Sequence, residues 1–352
     1  MGRPLRCPEA LCAARNATPV TGHDAYYVVG PRRSAYDGRM TAHDHDSAGL
    51  SRRTLFGVAA AGLGVAAAGL GVAAAGAALA RVSEAAPEPV PRPAARRMPV
   101  AFVGHGSPMT ALDALKGGEW QRWASAWGKP AAILVVSAHW EAAPATLGAV
   151  RTVPLIYDFG GFPRPLYAVT YAAPGAPALA ERVKGLLQPV VGGVRHALAR
   201  GLDHGAWVPL VWMARDASVP VLQLSLPSQD GPALVKLGQA LAPLRDEGVV
   251  ILASGNLTHN LGRVDGRQNA VTPAWARDHD AWLGDVLQRR DLDALADFRR
   301  RAPALAMNHP TLEHLTPIFV AAGAASKAWS ATSFPLTGFE GGSLSRRCVE
   351  LA

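Results

Sequence analysis

The sequence predicts an α/β fold: one domain with a central, mostly parallel sheet flanked by helices and a metal site at the carboxyl ends of its strands. Two observations carry the fold. Short apolar, β-branched runs alternate with longer amphipathic stretches, and each run stays apolar on both faces until a Gly, Ser or His ends it. A third observation points to the site: histidines recur where those runs end.

The first run, PVAFVGHG, reads as a buried strand that stops at His105. ALDALKGGEWQRWASAW follows at helical spacing, and AAILVVSAHW is a second strand ending in His139, Trp140 and Glu141. YDFGGFP, Tyr157 to Pro163, has too much Gly and Pro for a regular element and reads as a loop over the site. APALAERVKGLLQPV is a helix, PVLQLSL a strand, PALVKLGQALAPLRDEG a helix and VVILASGN a strand. Strand and helix in alternation define a sheet covered on both faces.

Upstream of this domain the composition changes. The 352 residues carry 35 Lys+Arg and 27 Asp+Glu, a formal charge of +8. The first 97 residues hold 12 basic and 7 acidic residues, which leaves a near-balanced 23 and 20 from Met98 onward. No basic stripe runs along the larger part; Arg299 to Arg301 reads as a solvated helix face, and nucleic acid is not an expected partner. Ser51 to Ala80 pairs Arg52 and Arg53 with an uncharged Ala/Gly/Val/Leu stretch in which the heptad GVAAAGL repeats, and closes on Ala78, Leu79 and Ala80. It resembles a twin-arginine export signal. Its Gly and Ala content favours cleavage over retention as a membrane anchor.

The expected layout is therefore a leader or mis-assigned start over 1–50, with Met40 the alternative start, a signal over 51–80, a Pro-rich linker over 81–97 and the catalytic domain over 98–352. The expected location is periplasmic, or exported through the twin-arginine machinery after a cytoplasmic stage. Cys7 and Cys12 precede the signal, so the mature chain keeps Cys348 alone and has no intramolecular disulfide.

Of the 11 histidines, five sit at strand ends or in small-residue turns. They are His105 in GHGSPM, His139 in SAHWE, His204 in DHGAW, His259 in SGNLTHN and His314 in PTLEHLTP. Imidazole suits zinc, iron, copper and nickel, and a strand end holds a ligand at small entropic cost. Gly104, Gly106 and Gly255 beside them imply close backbone approach around a shared centre. His23, His43 and His45 belong to the leader, His196 and His279 lie in ordinary surroundings, and His309 before Pro310 shapes a turn. Spacing alone supports a mononuclear metal site and goes no further.

Together with YDFGGFP and YAAPGAPALA, the histidine motifs occur in an order that resembles the class III extradiol dioxygenases of the LigB superfamily, within it the 4,5-DOPA dioxygenase extradiol-like group. The resemblance implies ring opening of a catecholic substrate, L-DOPA-like or another catechol, by a non-haem metal and O2. It implies one divalent metal per chain, Fe(II) for dioxygenase activity or Zn(II) as bound in related proteins. His105, His139 and His314 match the metal ligand positions, with Glu313 as an adjacent substitute that a helix would turn about 100° away. His259 matches a fourth ligand or a catalytic base, and His204 an acid/base histidine. Asp203 is a candidate to orient His204. Tyr157, Phe159, Phe162, Trp140 and Trp207 are candidates for the substrate wall, and Arg164 for a substrate carboxylate. Two rivals remain. One is a zinc hydrolase, although no H-E-x-x-H motif is present. The other is a non-catalytic binding protein on the same fold, against which His204 and His259 both argue.

Overall fold

The computed structural model describes residues 97–267 and 269–352. The leader, the twin-arginine segment and the linker lie outside the described residues. Strands β1 (Val100–Gly104), β2 (Ala132–Glu141), β3 (Thr146–Leu147), β4 (Arg195–His196), β5 (Val221–Leu226) and β6 (Val249–Gly255) come first. Then follow β7 (Thr332–Leu336), β8 (Phe339–Glu340), β9 (Leu344–Ser345) and β10 (Cys348–Leu351). Eight of them form one sheet in the order β4-β3-β5-β2-β6-β1-β10-β7, while β8 and β9 pair separately.

The four strands expected from the sequence, β1, β2, β5 and β6, make the centre of the sheet and run parallel. Register aligns Val100 with Ile251 and Gly104 with Gly255, so β1 and β6 end level with one another. The edge is mixed: β10 pairs antiparallel with both β1 and β7.

The helices are α1 (Ala114–Ser125), α2 (Pro177–Val191), α3 (His204–Met213), α4 (Gly231–Leu241), α5 (Ala274–Arg289), the short α6 (Leu292–Ala296), α7 (Phe298–Arg301) and α8 (Leu305–Asn308), and α9 (Pro317–Ala325). The period of two along each strand divides the core. Phe102, Leu134, Val136, Leu224 and Ile251 pack with α2, α4 and α9 on one face. Ala101, Val103, Ile133, Val135 and Leu252 pack with α1 and α3 on the other. Strands buried on both faces need to be apolar throughout, which is why the runs read as continuous rather than alternating. Among the described residues, no helix is long and apolar enough to cross a membrane.

Candidate metal centre

The parallel strands deliver histidines to one end of the sheet. His105 directly follows β1, and its backbone N–H donates to the Gly255 carbonyl at 3.0 Å, extending the β1–β6 ladder. His139 lies near the carboxyl end of β2, and His204 is the first residue of α3. His259 follows β6 and is anchored by its backbone N–H on the Asn308 carbonyl at 3.0 Å. His314 precedes α9, and its carbonyl accepts from Asn256 N–H at 2.9 Å. That approach needs Gly255, because a Cβ there would collide with the His314 carbonyl oxygen. Gly205 serves similarly at α3, where a Cβ would overlap the Ser137 hydroxyl and the His139 ring.

All five candidate histidines come together. His105, His139 and His314 can each offer one ring nitrogen to a common ion. The Nε2 atoms of His105 and His139 lie 3.1 Å apart. Ser254 assigns the His105 tautomer: its one hydroxyl proton goes to the Gly205 carbonyl at 2.5 Å, so its oxygen accepts from Nδ1–H of His105 at 2.9 Å. The Nε2 lone pair of His105 is thereby left facing His139. On His314, Nδ1 lies 3.1 Å from Glu313 Oε1, again leaving Nε2 for the centre. Two imidazoles bound about 2.0–2.1 Å from one ion, at roughly 90–110°, stand about 2.8–3.4 Å apart. The donor set and its spacing fit a divalent metal.

Burial keeps His105 and His314 neutral. His105 is pushed well below the usual histidine range, first by desolvation and then by repulsion from His139, His204 and His259. His314 is lowered likewise, first by burial and then by His259, His139, His105 and His204. A neutral imidazole is the form that binds metal. His259 is lowered to about 4 by burial and then by His204. Its ring stacks on His314 with centroids 3.5 Å apart and planes 7° from parallel. His259 also groups with Glu313 and His314 closely enough to share an ion, but a ligand lone pair lies in its own ring plane, so the parallel rings of His259 and His314 do not aim at one point.

Several expected contacts are arranged differently. Asp203 does not orient His204. It is the N-cap of α3, accepting from Ala206 N–H, and its carboxylate also takes the Ser137 hydroxyl (2.7 Å), the Gln223 amide (2.5 Å) and Arg200 (3.2 Å). Adjacent side chains at a helix start diverge, so another group takes that place. It is Asp158, whose Oδ1 accepts from both the backbone N–H and Nδ1 of His204 at 2.9 Å each. Its Oδ2 lies 3.4 Å from Nδ1 of His139. Burial would raise the Asp158 carboxyl, but hydrogen bonding from His204 and attraction to His204 and His139 outweigh this and hold it at about 2. Glu313 and His314 occupy a turn ahead of α9, so the helical angle between neighbours does not apply, and Glu313 supports His314 from behind.

Of the aromatic candidates, Phe159 meets the histidines, its ring edge-on to His204 at 5.6 Å. Phe162 packs on Phe159 at 5.4 Å. Tyr157, at the start of the loop, packs on Trp207 of α3 with centroids 5.6 Å apart. The Trp207 indole is fully buried and donates to the Ile156 carbonyl at 3.0 Å, while the Tyr157 hydroxyl donates to Val169 at 2.6 Å. Trp140 follows His139 on a strand and so faces the other way, under the Arg200 guanidinium at 4.4 Å. Arg164 is exposed on a 3-10 turn. His279 and His309 are buried with carbonyl partners, Pro303 and Leu257, in keeping with structural roles.

Sequence reasoning missed Ser254 and the orienting role of Asp158. Ser254 was visible at the end of an apolar run, and Asp158 as the single carboxylate inside YDFGGFP.

Comparison with known proteins bears on the family and the fold. The family described as the catalytic LigB subunit of aromatic ring-opening dioxygenase matches residues 107–341. A 4,5-DOPA dioxygenase extradiol from Beta vulgaris is 43% identical over 234 residues, 64% of this chain and 86% of that protein. One from Escherichia coli strain K12 is 39% identical over 267 residues, 72% of this chain and 95% of that protein. The crystal structure of an uncharacterized Escherichia coli K12 protein aligns with a TM-score of 0.62 at 33% identity, covering 73% of this chain and all of that one. With this family match spanning most of the chain, and relatives of this identity covered nearly end to end, the chain belongs to the LigB family of aromatic ring-opening dioxygenases.

Proposed function

We propose that the chain cleaves the ring of a catechol carrying a polar side chain, of which the DOPA named for its relatives is the first candidate, at a divalent metal held by His105, His139 and His314. The observation that supports this reading is the convergence of three imidazoles with two further histidines, His204 and His259, that the trio leaves available for proton transfer. When bound, the metal acidifies the catechol hydroxyls and brings O2 and the ring into one coordination sphere.

The chain's own residues do the remaining work. His259 is neutral at pH 7 and takes up a hydroxyl proton at its free nitrogen. Its parallel stacking on His314 favours this role over that of a fourth ligand. His204 has Nδ1 engaged by Asp158, so Nε2 is the atom that first takes up a proton, from solvent or the substrate, and then passes it to the opening ring. Phe159 presents an aromatic edge beside His204, a surface that positions a planar substrate and excludes water. Fe(II) is the metal of this reading, and Zn(II) its inactive substitute.

Oxygen uptake tests it. Protein reconstituted anaerobically with Fe(II), and separately with Zn(II), is given L-DOPA or a simple catechol while a yellow ring-opened product is monitored. Uptake by the iron form alone is the expected result. No uptake by either form across several catechols would shift the assignment to a zinc hydrolase or a binding protein.

We further infer export. The Arg52–Arg53 pair, the apolar repeat and the Ala78–Ala80 exit support a cleaved twin-arginine signal and a periplasmic mature protein. Replacing both arginines with Lys should retain the precursor in the cytoplasm, and N-terminal sequencing of the exported form should begin after Ala80.

A further inference from the structure

Each histidine of the trio has a partner on Nδ1, but the partners differ in reach. Ser254 serves His105, and Glu313 serves His314. Asp158 touches two histidines of different assigned roles, His139 in the trio and His204 outside it. It comes from the YDFGGFP loop, not from the strand or helix that carries either ring. The loop has other tethers besides this carboxylate. Ile156 donates to the Leu202 carbonyl at 2.8 Å and accepts from the Trp207 indole, and the Tyr157 hydroxyl holds Val169.

We propose that Asp158 is a positioning residue that sets the tautomers of His139 and His204 together, so that one carboxylate governs both metal retention and the direction of proton delivery. The inference rests on the metal-dependent reading above. With Oδ1 accepting from Nδ1–H of His204, the free nitrogen of that ring is Nε2. Oδ2 lies 3.4 Å from Nδ1 of His139 and favours the proton on that nitrogen, the tautomer whose Nε2 lone pair turns to His105. Carboxylates that orient metal-bound histidines typically strengthen metal affinity about 10–100-fold. Here the same group also aims a ring outside the trio.

The two effects separate by substitution. In Asp158→Asn, the amide oxygen can still accept both bonds from His204. The amide NH2 then faces His139, where a donor meets a donor, and the favoured His139 tautomer reverses to Nε2–H, which cannot bind metal. Asp158→Ala removes both constraints.

The test uses the zinc-loaded full chain, with competition against a chromophoric chelator for affinity and 15N NMR of the imidazoles in alkaline buffer for tautomers. Wild type should show His204 as Nδ1–H, a measurement that needs no variant to fold. Asp158→Asn should lose zinc affinity about 10–100-fold while His204 keeps its tautomer. Asp158→Ala should lose affinity and also return His204 to the Nε2–H form favoured in water. Unchanged zinc affinity in Asp158→Asn, or an Nε2–H His204 in wild type, would overturn the inference. Neither readout involves ring cleavage. Failure of the dioxygenase reading would instead show as an iron-loaded wild type that takes up no oxygen while both results hold.

Discussion

The Nε2 atoms of His105 and His139 lie 3.1 Å apart, a spacing that two imidazole ligands of one cation share. Burial penalises the charged imidazolium of His105 and so keeps the neutral form that a cation needs. Replacing His105, His139 or His314 with Ala should therefore abolish stoichiometric metal, measured by elemental analysis of purified protein. His204→Ala should keep its metal and lose about 10²–10⁴-fold in oxygen uptake, the usual contribution of a placed acid or base. His259→Ala should resemble His204→Ala; loss of metal there would make it a fourth ligand. Ser254→Ala frees the His105 ring to take the other tautomer, and chelator competition should find metal bound roughly ten times more weakly.

At the scale of elements, the site depends on how closely β6, the turn before α9 and the start of α3 approach. Gly255→Ala puts a methyl against the His314 carbonyl. Either β6 or the turn has to move, so the variant should melt several degrees lower and retain less metal, as scanning calorimetry and elemental analysis would show. Asp203 joins α3 to β2 and β5 through Ser137 and Gln223. Its replacement by Ala strands several buried donors and removes a helix cap, at a cost of about 2–4 kcal/mol in denaturant unfolding. Strands β1, β2, β5 and β6 were legible because burial on both faces leaves an unbroken apolar run. The antiparallel strands β7 and β10 were not, because TSFPL is half-exposed, CVEL is only four residues long, and both owe their pairing to the open edge of β1.

For the molecule as a whole, buried neutral histidines set the response to acid. His309 is held at about 3 and His259 at about 4, in both cases mainly by burial, against about 6.5 in an unfolded chain. Between those values the unfolded chain binds protons that the folded chain refuses. Stability is therefore complete above about pH 6.5 and falls on acidification, by at most about 1.4 kcal/mol per pH unit for each such group. Asp158, held at about 2, adds a loss in the same direction below about pH 4. Melting temperatures of the metal-free chain should be flat from pH 8 to 7 and decline steadily from 6.5 to 4; a flat profile down to pH 4 would contradict the burial of these rings. The sequence by itself determined the α/β alternation, the strand ends that carry His105, His139 and His259, and the order of motifs, because periodicity and turn chemistry are local. Only the tertiary structure decided that Asp158 rather than Asp203 meets His204, that Trp140 turns away from the centre, and that His259 stacks on His314. Side-chain direction and contacts between segments dozens of residues apart depend on how the layers pack, which no local pattern encodes.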